Sequence, residues 1–457
     1  MATASNFHLT GDEKPAPGVK SLSVESAKKA SELLNINHKL WDIYIDDLGR
    51  HNHITHHVFT LYAMGATPDE LQAAYDAQMP GQRHAFPPCE KTIKALHTPE
   101  GFKKYLGDYT QFTNYVMFFR GEVEKKGSQK VIAEYLFADD DRANDMMARL
   151  FTGFAHSIIH FGYGLQFDQP AMIVEALAQT AVHEGWALDL FLESEKAGHA
   201  RKRANEKGDS LLELIHDTRK AVIENPLIAS YRYQDNTVKY GIAQMGADVM
   251  AEVGSKWIVR PEDLKSRTAQ MMDACVYYNV AAQRPPYAKK VDFYLMHSTT
   301  LAVHFETFMS HPFLTEKDRI RLLEWKGRWD LANYASRGAP ELLEDEVFKH
   351  EPRIPGGWDG LIHRANRYIH YQDGGHVSKM IRAIVNGWDL CKQEDRTDFA
   401  LKTEDNWLKA AHLFMDFAET AAERDDEMLF MRGAGFEEGW KIHPLREGAQ
   451  NGHNSKI

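Results

Sequence analysis

Histidine is the residue type whose spacing in this chain could do chemistry. There are 23 histidines in 457 residues, and several pairs fall where a helix would turn both imidazoles the same way. In Asp373-Gly374-Gly375-His376-Val377-Ser378-Lys379-Met380-Ile381-Arg382, the two glycines break the preceding structure. Apolar residues then resume at Val377, Met380, Ile381 and Ile384 with helical spacing. His376 and Lys379 project from one side of such a helix, a turn apart. His156 and His160 share a face within Phe154-Ala155-His156-Ser157-Ile158-Ile159-His160-Phe161-Gly162-Tyr163-Gly164, and two polar rings among apolar neighbours are costly unless bonded or ligated. His297 and His304 lie two turns apart, about 10 Å along the axis, too far for both to hold one ion. The stretch His51-Asn52-His53-Ile54-Thr55-His56-His57 carries four more.

Imidazole is a common ligand for zinc, iron and nickel, so each of these is a candidate metal face. Four histidines crowded onto one helix point around most of its circumference. Most of that cluster is therefore expected at the surface or behind the ligands. Helical geometry alone separates neither His53 from His56 and His57, nor His156 from His160. The plainer reading of the 376–379 stretch is a histidine in a capping turn and a lysine reaching along apolar surface to water.

Other motifs fail. His183-Glu184 lacks the second histidine that a zinc-protease helix requires. Gly162-Tyr163-Gly164 follows no strand and lacks the third glycine of a dinucleotide loop. No phosphate loop, nucleophile elbow or calcium loop occurs. His216-Asp217 is the one His-Asp pair.

The elements that must position these side chains read almost entirely as helices. Patterns cover about 24–34, 41–64 with Gly65 as its stop, 128–137, 143–166, 170–196, 210–224, 237–257, 261–282, 291–309, 315–336, 357–370, 376–392 and 403–423. Thr67-Pro68-Asp69-Glu70 is a strong helix start, and Thr98-Pro99-Glu100 a weaker one. Strand-like alternation is almost absent. The expected architecture is all-α: a flexible segment over 1–20, a single large helical domain over 21–445 and a polar tail over 446–457. A buried site would be assembled from helices spread along the chain.

Composition narrows the partners. A net charge of −11 with dispersed lysines and arginines argues against nucleic acid and anionic membrane. No apolar run reaches the roughly 18 residues of a membrane span, and residues 1–20 lack the apolar core of a secretory signal. Cys89, Cys275 and Cys391 are widely spaced and suit a reducing compartment, so a cytoplasmic location is expected.

Four ordered segments resemble the questin oxidase family of fungal secondary metabolism, all-helical enzymes that oxidatively open the central ring of anthraquinones. They are Asn52-His53 leading to Leu61-Tyr62-Ala63-Met64-Gly65-Ala66; Ala155-His156 through Gly162-Tyr163-Gly164; His297 with Thr300; and His376-x-x-Lys379. The resemblance implies a mononuclear non-haem iron held by His53, His156, His297, His376 and Lys379, the lysine as N6-carboxylysine. Asn52 and Thr300 are expected just behind these ligands. His160, Tyr163 and His304, one or two turns from them, are candidates for polarising substrate hydroxyls.

The chemistry of the set is coherent. A protonated lysine has no lone pair, whereas a neutral amine can add CO2 to give a carbamate, an anionic oxygen ligand on a long arm. Four imidazoles and one such oxygen suit iron. If the carbamate binds through one oxygen, an octahedral ion keeps a position open. The family reading implies a dioxygenase or Baeyer–Villiger-type monooxygenase that takes O2 and a small aromatic polyketide, an anthraquinone or its hydroquinone. NADPH consumption is left open. With no dinucleotide fold in the sequence, it would need a shallow site or a separate reductase. The alternative is a helical metalloenzyme of the HD type, a phosphohydrolase or di-iron oxygenase, built on His216-Asp217.

Overall fold

Several helix starts in the computed structural model carry a side-chain cap. The structure describes residues 1–17, 22–232, 238–426, 428–446 and 448. Thr67 Oγ1 accepts the Glu70 amide while the Thr67 amide donates to the Glu70 carboxylate, with Pro68 opening the helix Pro68–Gln78. The same reciprocal box, Ser210 with Glu213 and Thr315 with Asp318, starts Leu211–Glu224 and Glu316–Ser336. Each box ties down two amides that would otherwise be orphaned, worth about 1 kcal/mol. Thr98 caps Pro99–Lys104 through the Gly101 amide. Among the described residues there is no strand, only isolated bridges. The chain is all-α.

Six helices position the site: α1 (Val24–Leu40), α2 (Ile54–Ala63), α3 (His156–Gln166), α4 (Pro170–Val182), α5 (Phe293–Ala302) and α6 (His376–Cys391). Every residue of α2 is buried, the signature of a helix wrapped on all sides. It packs against α3 and α6, both of which pack against α5, so these four close a ring. Outside the ring α1 leans on α2 and α4 leans on α3.

Several helices are shorter or more broken than their sequence patterns. The helix expected over 41–64 begins only at Ile54. Before it, Tyr44 pairs with His51 and Trp41 with His84 across isolated bridges. The Asn52 side chain accepts the Ile54 amide and donates to Asn37 Oδ1 and the Asp42 carbonyl, which diverts the local backbone from a helix. The pattern over 143–166 splits into Asp141–Phe151 and α3, because Gly153, Phe154 and Ala155 all take positive φ. The one over 170–196 splits around Gly185, and that over 291–309 breaks between Ala302 and Phe305. Of the pattern over 237–257, position 237 lies outside the described residues. The remainder is a π-helical stretch, Val238–Ala243, followed by Ala247–Ser255. Phe112–Lys126 is a helix that no pattern marked, its period masked by clustered aromatics.

Residues 1–17, expected to be flexible, pack against the body. Phe7 and Leu9 are buried, the His8 amide donates to Gln169, and the Ala16 carbonyl accepts from Arg382. Most of 446–457 lies outside the described residues. Among the described residues, no helix is long and apolar enough to cross a membrane.

Candidate metal centre

His53, His156, His297 and His376 come together where α2, α3, α5 and α6 meet. One ring nitrogen from each lies within 4.8 Å of all the others. His156, His297 and His376 are buried, and His53 is half-buried.

The rings are turned inward by bonds on their far sides. His156 Nδ1 donates to the Gly153 carbonyl at 2.6 Å, His297 Nδ1 to the Phe293 carbonyl at 2.7 Å, and His376 Nδ1 to the Asp373 carbonyl. A carbonyl only accepts, so each Nδ1 carries the proton and each Nε2 presents a lone pair to the centre. Nε2 of His297 and of His376 have no hydrogen-bond partner among the described residues. His53 Nε2 lies 2.8 Å from His156 Nε2. Two nitrogens at about 2.1 Å from one ion and at right angles to each other would be separated by about 3 Å. An orphaned buried polar atom costs roughly 1–3 kcal/mol, so converging lone pairs are unfavourable until a cation takes them up. The donor set fits one N-ligated metal ion.

Electrostatics keep the imidazoles in the ligand form. Burial, then the nearby Lys379 charge, hold His53 and His376 well below the usual imidazole range and push His297 down to about 3. His156 is lowered by burial and by its histidine neighbours. Lys379 stands one turn along α6 from His376 and is itself buried. Burial lowers its amine while the Asp373 carboxylate opposes that shift, and its Nζ forms no hydrogen bond with the described residues. A buried, depressed, unbonded amine has the properties that CO2 addition needs.

Two glycines let the chain pass this closely. A Cβ on residue 374 would sit 2.9 Å from His53 Nδ1, and one on residue 375 would sit 2.4 Å from the His57 ring. Both have positive φ, which only glycine adopts without penalty. Asn52 fixes the turn that carries His53, its side chain accepting the Ile54 amide just beyond it. Thr300 lies a turn beyond His297 and bonds back to its carbonyl at 3.3 Å.

Of the two places expected for the rest of the histidine run, the surface and the layer behind the ligands, the structure takes the second. His51, His56 and His57 are not at the surface but are 7%, 1% and 4% exposed. The reason is the late start of α2: His51 and His53 precede the helix, and α2 itself is wholly enclosed. His51 stacks on the His156 ring at 3.9 Å and bonds His183 Nε2 at 3.0 Å. His183 in turn bonds Ser157 Oγ at 2.9 Å and the Arg149 carbonyl at 3.2 Å. His51 and His183 thus brace His156 from behind. The sequence marked His183 only as half of a failed protease motif.

The residues proposed to polarise substrate are placed unequally. Both ring nitrogens of His160 are already bonded, to His56 Nε2 at 3.0 Å and to Glu175 at 2.7 Å, which leaves none for a substrate. Tyr163 is bonded through its hydroxyl to Thr60 at 2.5 Å. His304 is fully buried, and neither of its nitrogens has a partner among the described residues. Glu175 escaped notice in the sequence, although an acid alone in the apolar run of α4 is a legible signal. Arg382, buried a turn beyond Lys379, is a second such case. His216 and Asp217 lie away from the cluster: His216 is exposed, and Asp217 pairs with Lys256 at 2.9 Å.

An all-helical protein enclosing an inward-facing ring of four imidazoles is a candidate metalloenzyme, and comparison with known proteins gives the family. Residues 50–384 match the family model described as questin oxidase-like. The chain is 35% identical over 433 residues to an oxidoreductase, AflY, of Aspergillus parasiticus, covering 93% of this chain and 85% of the relative. It is 34% identical to the Baeyer–Villiger oxidase ptaJ of Pestalotiopsis fici, covering 92% and 94%. To a questin oxidase of Aspergillus fumigatus it is 32% identical, covering 97% and 100%. The chain belongs to the questin oxidase-like family and is an oxidoreductase. All four cluster histidines and Lys379 fall inside the matched region.

Proposed function

We propose that this protein is an iron-dependent oxygenase that cleaves a C–C bond in the central ring of a hydroxylated anthraquinone or its hydroquinone. The observation that carries the reading is the inward convergence of four neutral imidazoles beside a buried, unbonded lysine. His53, His156, His297 and His376 hold the ion, and Lys379, carboxylated by CO2, adds the anionic oxygen. Bound iron supplies O2 activation. The family's named members, a questin oxidase and Baeyer–Villiger oxidases, favour a flat polyketide and an oxygen-inserting ring opening.

The chain's own residues bind, orient and exclude water. Around the cluster His53, Phe154, Phe293 and Gly374 are half-buried while the other three histidines are buried, and we place substrate entry past these four. Phe293 stands edge-on to His297 and His376 at 4.8 and 5.0 Å, offering an aromatic wall to a planar substrate. Any electrons the reaction needs from NADPH reach the substrate from a shallow site or through a separate reductase. Among the described residues, no strand provides a nucleotide-binding unit.

The test is turnover under air by protein reconstituted anaerobically with iron, using hydroxyanthraquinones and their reduced forms. Ring-opened product containing label from 18O2 is expected. Iron-loaded protein that consumes no O2 with any of them overturns the assignment.

A further inference from the structure

A second buried chain of polar groups runs alongside the candidate metal centre. Glu175 is the one acid of α4, 4% exposed, and its two oxygens take different histidines. Oε1 accepts from His38 Nδ1, on α1, and Oε2 accepts from His160 Nε2 at 2.7 Å. His160 Nδ1 lies 3.0 Å from His56 Nε2. The protons can be assigned from these contacts alone. An ionised carboxylate only accepts, so His160 carries its proton on Nε2 and offers a lone pair at Nδ1. His56 must then donate from Nε2, which leaves His56 Nδ1 as a bare lone pair. That atom is buried and has no partner among the described residues. The His56 ring is 6.4 Å from that of His53, 6.2 Å from that of His156 and 5.4 Å from that of Tyr163.

We propose that His56 is the proton acceptor for a substrate hydroxyl and that Glu175, acting through His160, is the residue that positions it. The substrate O–H bond breaks and its proton bonds His56 Nδ1. The Nε2 proton of His56 passes to His160 Nδ1. The products are a phenolate and a His160 imidazolium whose Nε2–H remains on the Glu175 carboxylate. No charge is created or lost, and the new cation forms against an anion already in place. A phenolate is the more electron-rich ring, the form that reacts with oxygen. General-base assistance of this kind contributes about 100-fold or more. His38 supplies the second donor that keeps Glu175 ionised in a buried setting. The relay rests on the reading of a hydroxylated aromatic substrate, but not on which metal is bound.

The experiment reads the phenolate directly. Chrysazin, a dihydroxyanthraquinone whose ionised form absorbs at longer wavelength than the neutral one, is added without air to wild type, Glu175→Gln, Glu175→Asp and His56→Gln. Iron is measured on the same samples. Wild type is expected to show the long-wavelength band at a pH where free chrysazin is neutral. Glu175→Gln and His56→Gln are expected to bind chrysazin without the band, at unchanged iron content, and to lose about 100-fold in kcat with little change in KM. Glu175→Asp, which keeps the charge, should restore part of the band. The dimethyl ether of chrysazin, with no proton to give, should show no shift. A band of equal strength in all variants, or none in the wild type, overturns the relay. If the wild type holds no iron, the metal reading falls, and the dependence of the band on Glu175 still decides the relay. Should Glu175→Gln fail to fold by circular dichroism, His56→Gln carries the same decision.

Discussion

His156 and His376 are held by the same backbone device in two unrelated parts of the chain. Each opens a helix, and each follows consecutive left-handed residues: Gly153, Phe154 and Ala155 in one case, Gly374 and Gly375 in the other. Each sends both its backbone amide and its Nδ1–H to the carbonyl three residues back, that of Gly153 or Asp373. One oxygen thus fixes the start of the helix and the rotation of the ring together. In the 153–155 turn two of the three residues are not glycine, so backbone strain is concentrated where the His156 ring is set.

Gly375→Ala tests the device. It places a methyl 2.4 Å from the His57 ring at a φ of +74°. We expect a loss of about 1–3 kcal/mol in stability and a lower metal content. Thermal unfolding with parallel metal analysis checks it, and a variant with unchanged Tm and metal would show that the turn is not under constraint.

His156→Ala and His160→Ala should separate cleanly, although helical periodicity treats the two alike. Only His156 aims its Nε2 at the cluster, since both nitrogens of His160 are engaged by His56 and Glu175. The first variant should lose bound metal, and the second should keep it and lose turnover. Normal metal in the 156 variant would reverse the assignment.

Glu175 makes acid stability a readout. Burial alone would raise its pKa, but hydrogen bonds from His160 and His38 outweigh that and hold it down to about 2. A carboxylate depressed below its unfolded value near 4.3 contributes stability that is present above that pH and is lost as pH falls toward 2. The contribution is on the order of 3 kcal/mol. Denaturant melts of wild type and Glu175→Gln should differ most near neutrality and converge between pH 4 and 2. A gap independent of pH would mean that the carboxylate is not what stabilises the fold.

Much of this was legible in the sequence, and the exceptions have physical causes. The helix starts at Thr67 and Thr98 are local, and they appear where their residues predict. The four histidines could be singled out by family pattern, but composition and periodicity could not separate His53 from its neighbours. What separates them is the turn before α2, set by the Asn52 side chain and not by any propensity. The breaks at 152–155 and 183–187 fall within otherwise periodic stretches, where tertiary packing overrides the pattern. His51, His183 and Glu175 act through partners more than 100 positions away or on another helix, so no local motif could have assigned them.

The carbamate proposed at Lys379 gives a further handle, because CO2 adds only to the neutral amine. Metal-stripped protein reconstituted with iron should recover more activity with bicarbonate at mildly alkaline pH than without it. Lys379→Glu has the right charge on a shorter arm, and little rescue is expected at a tightly spaced site. Equal recovery with and without bicarbonate would argue for an unmodified lysine.

The most direct measurement is the iron-to-chain ratio of purified wild type beside Lys379→Met, which keeps the stem's volume and removes the amine. The account expects close to one iron per wild-type chain, and in the variant a loss of iron, of turnover, or of both. Wild-type protein free of any transition metal, or a Lys379→Met protein with undiminished iron and turnover, would contradict it.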